Sequence, residues 1–77
     1  MKKWSANYGS NKILIENRWY RESLFVNGEL QDERLGLKFE SSLYGKLPTG
    51  EFIKVRIGSI FTMEYRIFID NKLVSFE

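Results

Sequence analysis

The sequence predicts an all-β protein, and three observations carry the prediction. Apolar residues recur with a period of two, turn residues end each such run after about ten residues, and no window has the i, i+3, i+4, i+7 spacing of an amphipathic helix. Ile53, Val55 and Ile57 alternate with Lys54 and Arg56. Phe61, Met63, Tyr65, Ile67 and Ile69 alternate with Thr62, Glu64 and Arg66. Leu37, Phe39, Ser41 and Leu43 do the same against Lys38, Glu40 and Ser42. Successive side chains of a strand point to opposite faces, so one set packs and the other meets water. The residue types, rich in Ile, Val, Phe and Tyr, agree.

Taken in order, the runs predict strands over 3–8, 12–18, 22–27, 29–35, 37–44, 51–58, 61–69 and 72–76. Gly9-Ser10 turns the first strand back onto the second. Asn27-Gly28, between Leu24-Phe25-Val26 and Glu29-Leu30, is the strongest hairpin signal in the chain. A type I′ turn needs φ > 0 at both central residues, which Asn and Gly tolerate. Asp70-Asn71 repeats that signal more weakly before Lys72-Leu73-Val74. Gly45 to Gly50 makes a longer connection and Gly58-Ser59 a shorter one. Hairpin following hairpin predicts a small antiparallel β-sandwich of about eight strands, with a small closed barrel as the alternative. The whole of 1–77 is expected to be one domain.

Composition removes whole classes of chemistry. The 77 residues hold 12 basic and 10 acidic side chains, one Pro, no His and no Cys. Without Cys there is no disulfide framework, Fe–S centre or thiol nucleophile. Without His the commonest metal ligand and general acid–base are missing. Neither a metal nor a cofactor is expected. Met1-Lys2-Lys3-Trp4-Ser5 has two charges but no apolar run behind them, so it does not read as a signal peptide. No apolar run approaches the ~18 residues of a membrane span. The expected location is cytoplasmic, with no membrane partner.

The order of certain pieces resembles a known family. Trp4, then Gly9-Ser10-Asn11-Lys12-Ile13-Leu14-Ile15-Glu16, then Leu24-Phe25-Val26-Asn27-Gly28-Glu29 follow one another along the chain. Gly36, Glu51-Phe52-Ile53-Lys54-Val55-Arg56-Ile57 and Tyr65-Arg66-Ile67-Phe68-Ile69-Asp70-Asn71-Lys72 complete the series. From Trp4 to Leu73 the chain is similar to one β domain of the Fas apoptotic inhibitory molecule family. The resemblance implies an eight-stranded antiparallel sandwich and a non-enzymatic regulator or interaction protein. It brings no catalytic motif. The animal proteins carry two such domains in tandem, so a role in apoptosis does not transfer.

Motif by motif, no reaction centre emerges. Gly45 to Gly50 has the Gly-x4-Gly spacing of a phosphate loop, but Glu51 and Phe52 stand where Lys and Ser/Thr are needed. Asp32 and Glu33 are adjacent, so on a strand they face opposite ways. Glu64 is expected to come near Glu51 or Lys54 across neighbouring strands, a pairing common on solvated sheets. The chain is therefore expected not to be an enzyme.

Binding is the expected role. In Arg18-Trp19-Tyr20-Arg21 two cations flank two large aromatics in a predicted loop. That set suits base stacking and phosphate contact. Alternatively, Trp19 or Tyr20 plugs one end of the sandwich while the arginines meet water. Lys54, Arg56 and Arg66 point outward as a basic stripe, and Phe25, Phe52, Phe68 and Leu14 fall out of phase with their inward neighbours. The candidate interaction surface is Arg18, Trp19, Tyr20, Arg21, Phe52, Lys54, Arg56, Arg66 and Phe68, with the edge strand at Leu73–Phe76 beside it. A protein partner or a homodimer is expected first, since a short chain gains from burying more surface. Single-stranded nucleic acid is the second reading, weakened by a net charge of only +2.

Overall fold

The computed structural model describes residues 2–36, 40–58 and 64–76, with Phe76 described by its backbone alone. Eight strands follow in order: β1 (Lys2–Tyr8), β2 (Asn11–Arg18), β3 (Arg21–Val26), β4 (Glu29–Leu35), β5 (Glu40–Lys46), β6 (Phe52–Gly58), β7 (Tyr65–Ile69) and β8 (Lys72–Phe76). They form two four-stranded antiparallel sheets, β1-β2-β3-β4 and β5-β6-β7-β8. Every neighbour in a sheet is also a neighbour in sequence, so each sheet is a plain meander. The two sheets do not close into one, which rules out the barrel alternative. Among the described residues no helix is long and apolar enough to cross a membrane.

The predicted strands stand close to their expected limits, with one clear difference. The fifth runs to Lys46 rather than Tyr44, and its predicted start at 37–39 lies outside the described residues. Phe61 and Met63, assigned to the seventh strand, also lie outside them. Both predicted type I′ turns are present. Asn27 and Gly28 have φ of 51° and 85°, and Asp70 and Asn71 have 48° and 67°.

The two sheets repeat each other residue for residue, a feature the alternation of apolar residues does not disclose. Trp4 pairs with Ile15 as Leu43 pairs with Val55. Ile13 pairs with Val26 as Ile53 pairs with Ile69. Phe25 pairs with Leu30 as Phe68 pairs with Leu73, and in both cases the ladder slips by one residue just beyond. The turn chemistry repeats as well. Asn27 Oδ1 accepts the Lys12 amide at 2.9 Å, and Asp70 Oδ1 accepts the Phe52 amide at 2.9 Å. Each polar side chain thereby satisfies a backbone donor beside its own turn.

The core lies between the sheets and is built from matched positions. Ile13 and Ile53, Ile15 and Val55, Leu24 and Ile67, Val26 and Ile69 are all buried. Trp4 of β1 crosses to Tyr65 of β7 with ring centroids 5.0 Å apart. Gly45 lets β5 approach the first sheet closely. A Cβ there would stand 3.1 Å from Leu24 Cδ2 and 3.2 Å from Gln31 Cβ. At this corner Asp32 Oδ2 accepts the Tyr44 amide at 2.8 Å and Gln31 Oε1 accepts the Lys46 amide at 3.3 Å. Side chains of β4 thus latch the free edge of β5. The register-equivalent residues on β8 are Val74 and Ser75, which carry no side-chain carboxylate or amide.

Candidate interaction surface

The nine candidate residues separate into two groups on different sheets. Arg18, Trp19, Tyr20 and Arg21 form the tip of the β2–β3 hairpin, with Arg18 paired to Arg21 in register. Trp19 is 81% exposed and Tyr20 65%, so neither plugs an end of the sandwich. The physical reason is geometric. A two-residue turn ends with its central side chains beyond the last inward row, here Asn17 and Glu22. The two arginines are occupied close by. Arg18 reaches Glu16 at 3.2 Å and Arg21 reaches Glu33 at 3.7 Å, while Lys3 also approaches Glu16 at 3.8 Å.

The other five residues share one surface, the outer face of β5–β8. Across the ladder, Tyr44, Lys54, Phe68 and Leu73 form one row. Ser42, Arg56 and Arg66 form the next row toward the hairpin end. On the other side Lys46 faces Phe52, and its ammonium lies over that ring at 5.4 Å from the centroid. Tyr44, Phe52 and Leu73 are exposed, and Phe68 and Lys54 are half-buried. A cleft of about 300 Å³ opens among Tyr44, Phe52, Lys54, Phe68, Asp70 and Asn71. Arg56 is hydrogen-bonded to Glu40. Among the described residues no acid forms an ion pair with Lys46, Lys54 or Arg66.

Tyr44 and Lys46 belong to this face and were not among the predicted residues. The predicted strand ends at Tyr44, which leaves Lys46 in the following loop, whereas β5 runs on to Lys46. The signal lay in the alternation, because Tyr44 is out of phase with buried Ser41 and Leu43. What alternation alone does not supply is the partner strand that sets Tyr44 beside Lys54.

Two further expectations are corrected or located, and one buried carboxylate is added. Glu64 and Glu51 do not meet. Glu64 accepts the Gly58 amide at one end of β6, whereas Glu51 precedes Phe52 at the other. Glu22, next to the hairpin tip, points inward, is buried, and accepts a hydrogen bond from Ser41 of the opposite sheet. The predicted edge at Leu73–Phe76 is an edge: β8 pairs only with β7, and Leu73 and Val74 are exposed. Among the described residues no group of His, Cys, Asp or Glu is placed to hold a metal ion.

Comparison with protein-family models, with characterised proteins and with solved structures gives no match.

Proposed function

We propose that the chain is a non-catalytic binding module whose working surface is the outer face of β5–β8, and that its partner is acidic. One observation carries this reading. Lys46, Lys54, Arg56 and Arg66 stand on that face, where Glu40 is bonded to Arg56 and Asp70 lines the cleft, and three aromatic rings lie among them. Cations held on a partly apolar surface attract an acidic partner and speed its encounter. The same arrangement disfavours pairing with a second copy on this face. A two-fold interface joins one patch to the same patch on the second copy, so it would bring two sets of Lys54, Arg56 and Arg66 into one contact area. Kinship with a β domain of the Fas apoptotic inhibitory molecule proteins is part of the proposal, and it favours interaction over catalysis.

Two measurements test this. Light scattering is expected to give the mass of one chain, and a stable dimer would point to a different working surface. Anisotropy with a fluorescent polyglutamate and with a short oligonucleotide is expected to show binding of at least one at low salt. The double substitution Lys54→Glu with Arg66→Glu is expected to weaken it about a hundredfold, as two phosphate-class contacts become repulsions. The same reversal at Lys3 and Arg18 on the other sheet is expected to change it less than about threefold. Equal losses from the two faces would end the proposal.

A further inference from the structure

We infer that the outer face of β5–β8 binds single-stranded nucleic acid; this rests on the binding-module reading above and names its partner. A single strand offers two features at once, regularly spaced phosphates and unpaired bases with flat π faces. The face carries a complement to each. Tyr44 and Phe68 stand on either side of Lys54 in one row, two strand spacings apart, or about 9–10 Å. Phe52 lies two residues along β6 from Lys54, a step of about 6.5 Å. Rings at these separations can take successive unstacked bases, with a cleft of about 300 Å³ open between them. Lys54 sits among the rings, Arg56 and Arg66 lie beyond one side, and Lys46 lies over the Phe52 ring at the other, so cations border a strand laid across Tyr44 and Phe68.

The internal repeat sharpens the inference. Register-equivalent positions on the outer face of the first sheet are Ser5, Asn7, Lys12, Leu14, Glu16 and Ser23, where the second has Tyr44, Lys46, Phe52, Lys54, Arg56 and Arg66. Phe25 and Leu30 match Phe68 and Leu73, so the apolar footing is shared. A meander of this kind therefore folds without the added rings and cations. An acidic protein segment would use the cations, but it has no flat rings to match Tyr44, Phe52 and Phe68. A duplex keeps its bases stacked on one another and inaccessible to these rings.

The experiment is fluorescence anisotropy on the full chain with labelled oligo(dT) of about ten nucleotides, a typical site size. The duplex of equal length and polyglutamate serve as comparison probes. Binding of oligo(dT) is expected to exceed that of the duplex and of polyglutamate. Its log–log salt slope is expected near −2 to −3, since four cations at about 0.7 each give roughly −2.8. That corresponds to about a 50-fold loss between 50 and 200 mM salt. Tyr44→Ala and Phe52→Ala, both at exposed positions, are each expected to weaken binding about tenfold. Trp19→Ala, on the β2–β3 hairpin of the other sheet, is expected to leave it unchanged. If polyglutamate binds as well as oligo(dT) and Phe52→Ala changes neither, the acidic-partner reading stands and nucleic acid is overturned. Equal binding of duplex, or a loss on Trp19→Ala without one on Phe52→Ala, also overturns it. Should neither polymer bind, both readings fail together.

Discussion

The two sheets are built on one register, yet their outer faces do different things with it. On β1–β4 the charges are matched locally. Glu16 serves Lys3 and Arg18, Glu33 serves Arg21, and Ser23 beneath them donates to Glu33 at 3.4 Å. On β5–β8 the position equivalent to Glu16 is Arg56, the one equivalent to Ser23 is Arg66, and Leu14 gives way to Lys54. Inward positions at the centre of the core follow the opposite rule. Leu24 and Ile67, Ile13 and Ile53, Val26 and Ile69 keep both size and apolarity. Close packing restricts what an interior position accepts, whereas a solvated sheet surface tolerates most side chains. The centre of the core is therefore alike in the two halves, while the inward rows at one end differ, with Trp4 for Leu43 and Glu22 for Tyr65. The outer faces differ at most of the compared positions, where a binding role has room to be written.

Substitutions at equivalent positions show how far the likeness extends. The largest effect is expected in the core. Leu24→Ala and Ile67→Ala, both at fully buried sites, are each expected to cost about 2–5 kcal/mol in urea denaturation. A difference of more than about 2 kcal/mol between them would show that the halves do not share the core equally.

A smaller effect is expected where β5 meets the first sheet. Gly45→Ala places a Cβ 3.1 Å from Leu24 and 3.2 Å from Gln31, so something must move, at about 1–3 kcal/mol. The reverse change at the equivalent site, Ala6→Gly, is expected to cost only about 0.5–1 kcal/mol through backbone freedom. If Gly45→Ala proves neutral, the close approach of the sheets at this corner is not a constraint.

The smallest effect tests the corner that lacks a latch. Val74→Gln with Ser75→Asp copies Gln31 and Asp32 onto the register-equivalent positions of β8 and tests whether the edge of β1 comes within their reach. Two new bonds to edge amides are expected to stabilise by about 0.5–1 kcal/mol after loss of the Ser75–Tyr65 contact. A destabilised variant would show that the two corners are not equivalent in space, whatever their register.

Much of this architecture was legible in the chain. Alternation at Ile53-Lys54-Val55-Arg56-Ile57 set both the strand and its inward face, and Asn27-Gly28 and Asp70-Asn71 marked two tight hairpins. Less of the surface was legible. Lys54, Arg56 and Arg66 were placed outward correctly, and they do share a face with Phe52 and Phe68. The Arg18–Arg21 tip was grouped with them only because it carries the same residue types. The inward Glu22 was not legible for a related reason: nothing local in Arg21-Glu22-Ser23 tells a solvated carboxylate from one held by a serine of another strand.

The sequence by itself determined the strand count, the meander order and the phase of each strand, because a period of two and the sign of φ at a turn are properties of neighbours in the chain. Only the tertiary structure decided which phases line up across strands, and hence that cations and rings share one face while Trp19 and Tyr20 stand apart. Cross-strand adjacency depends on register and on which sheet a strand joins, and both are set by contacts between residues far apart in the chain.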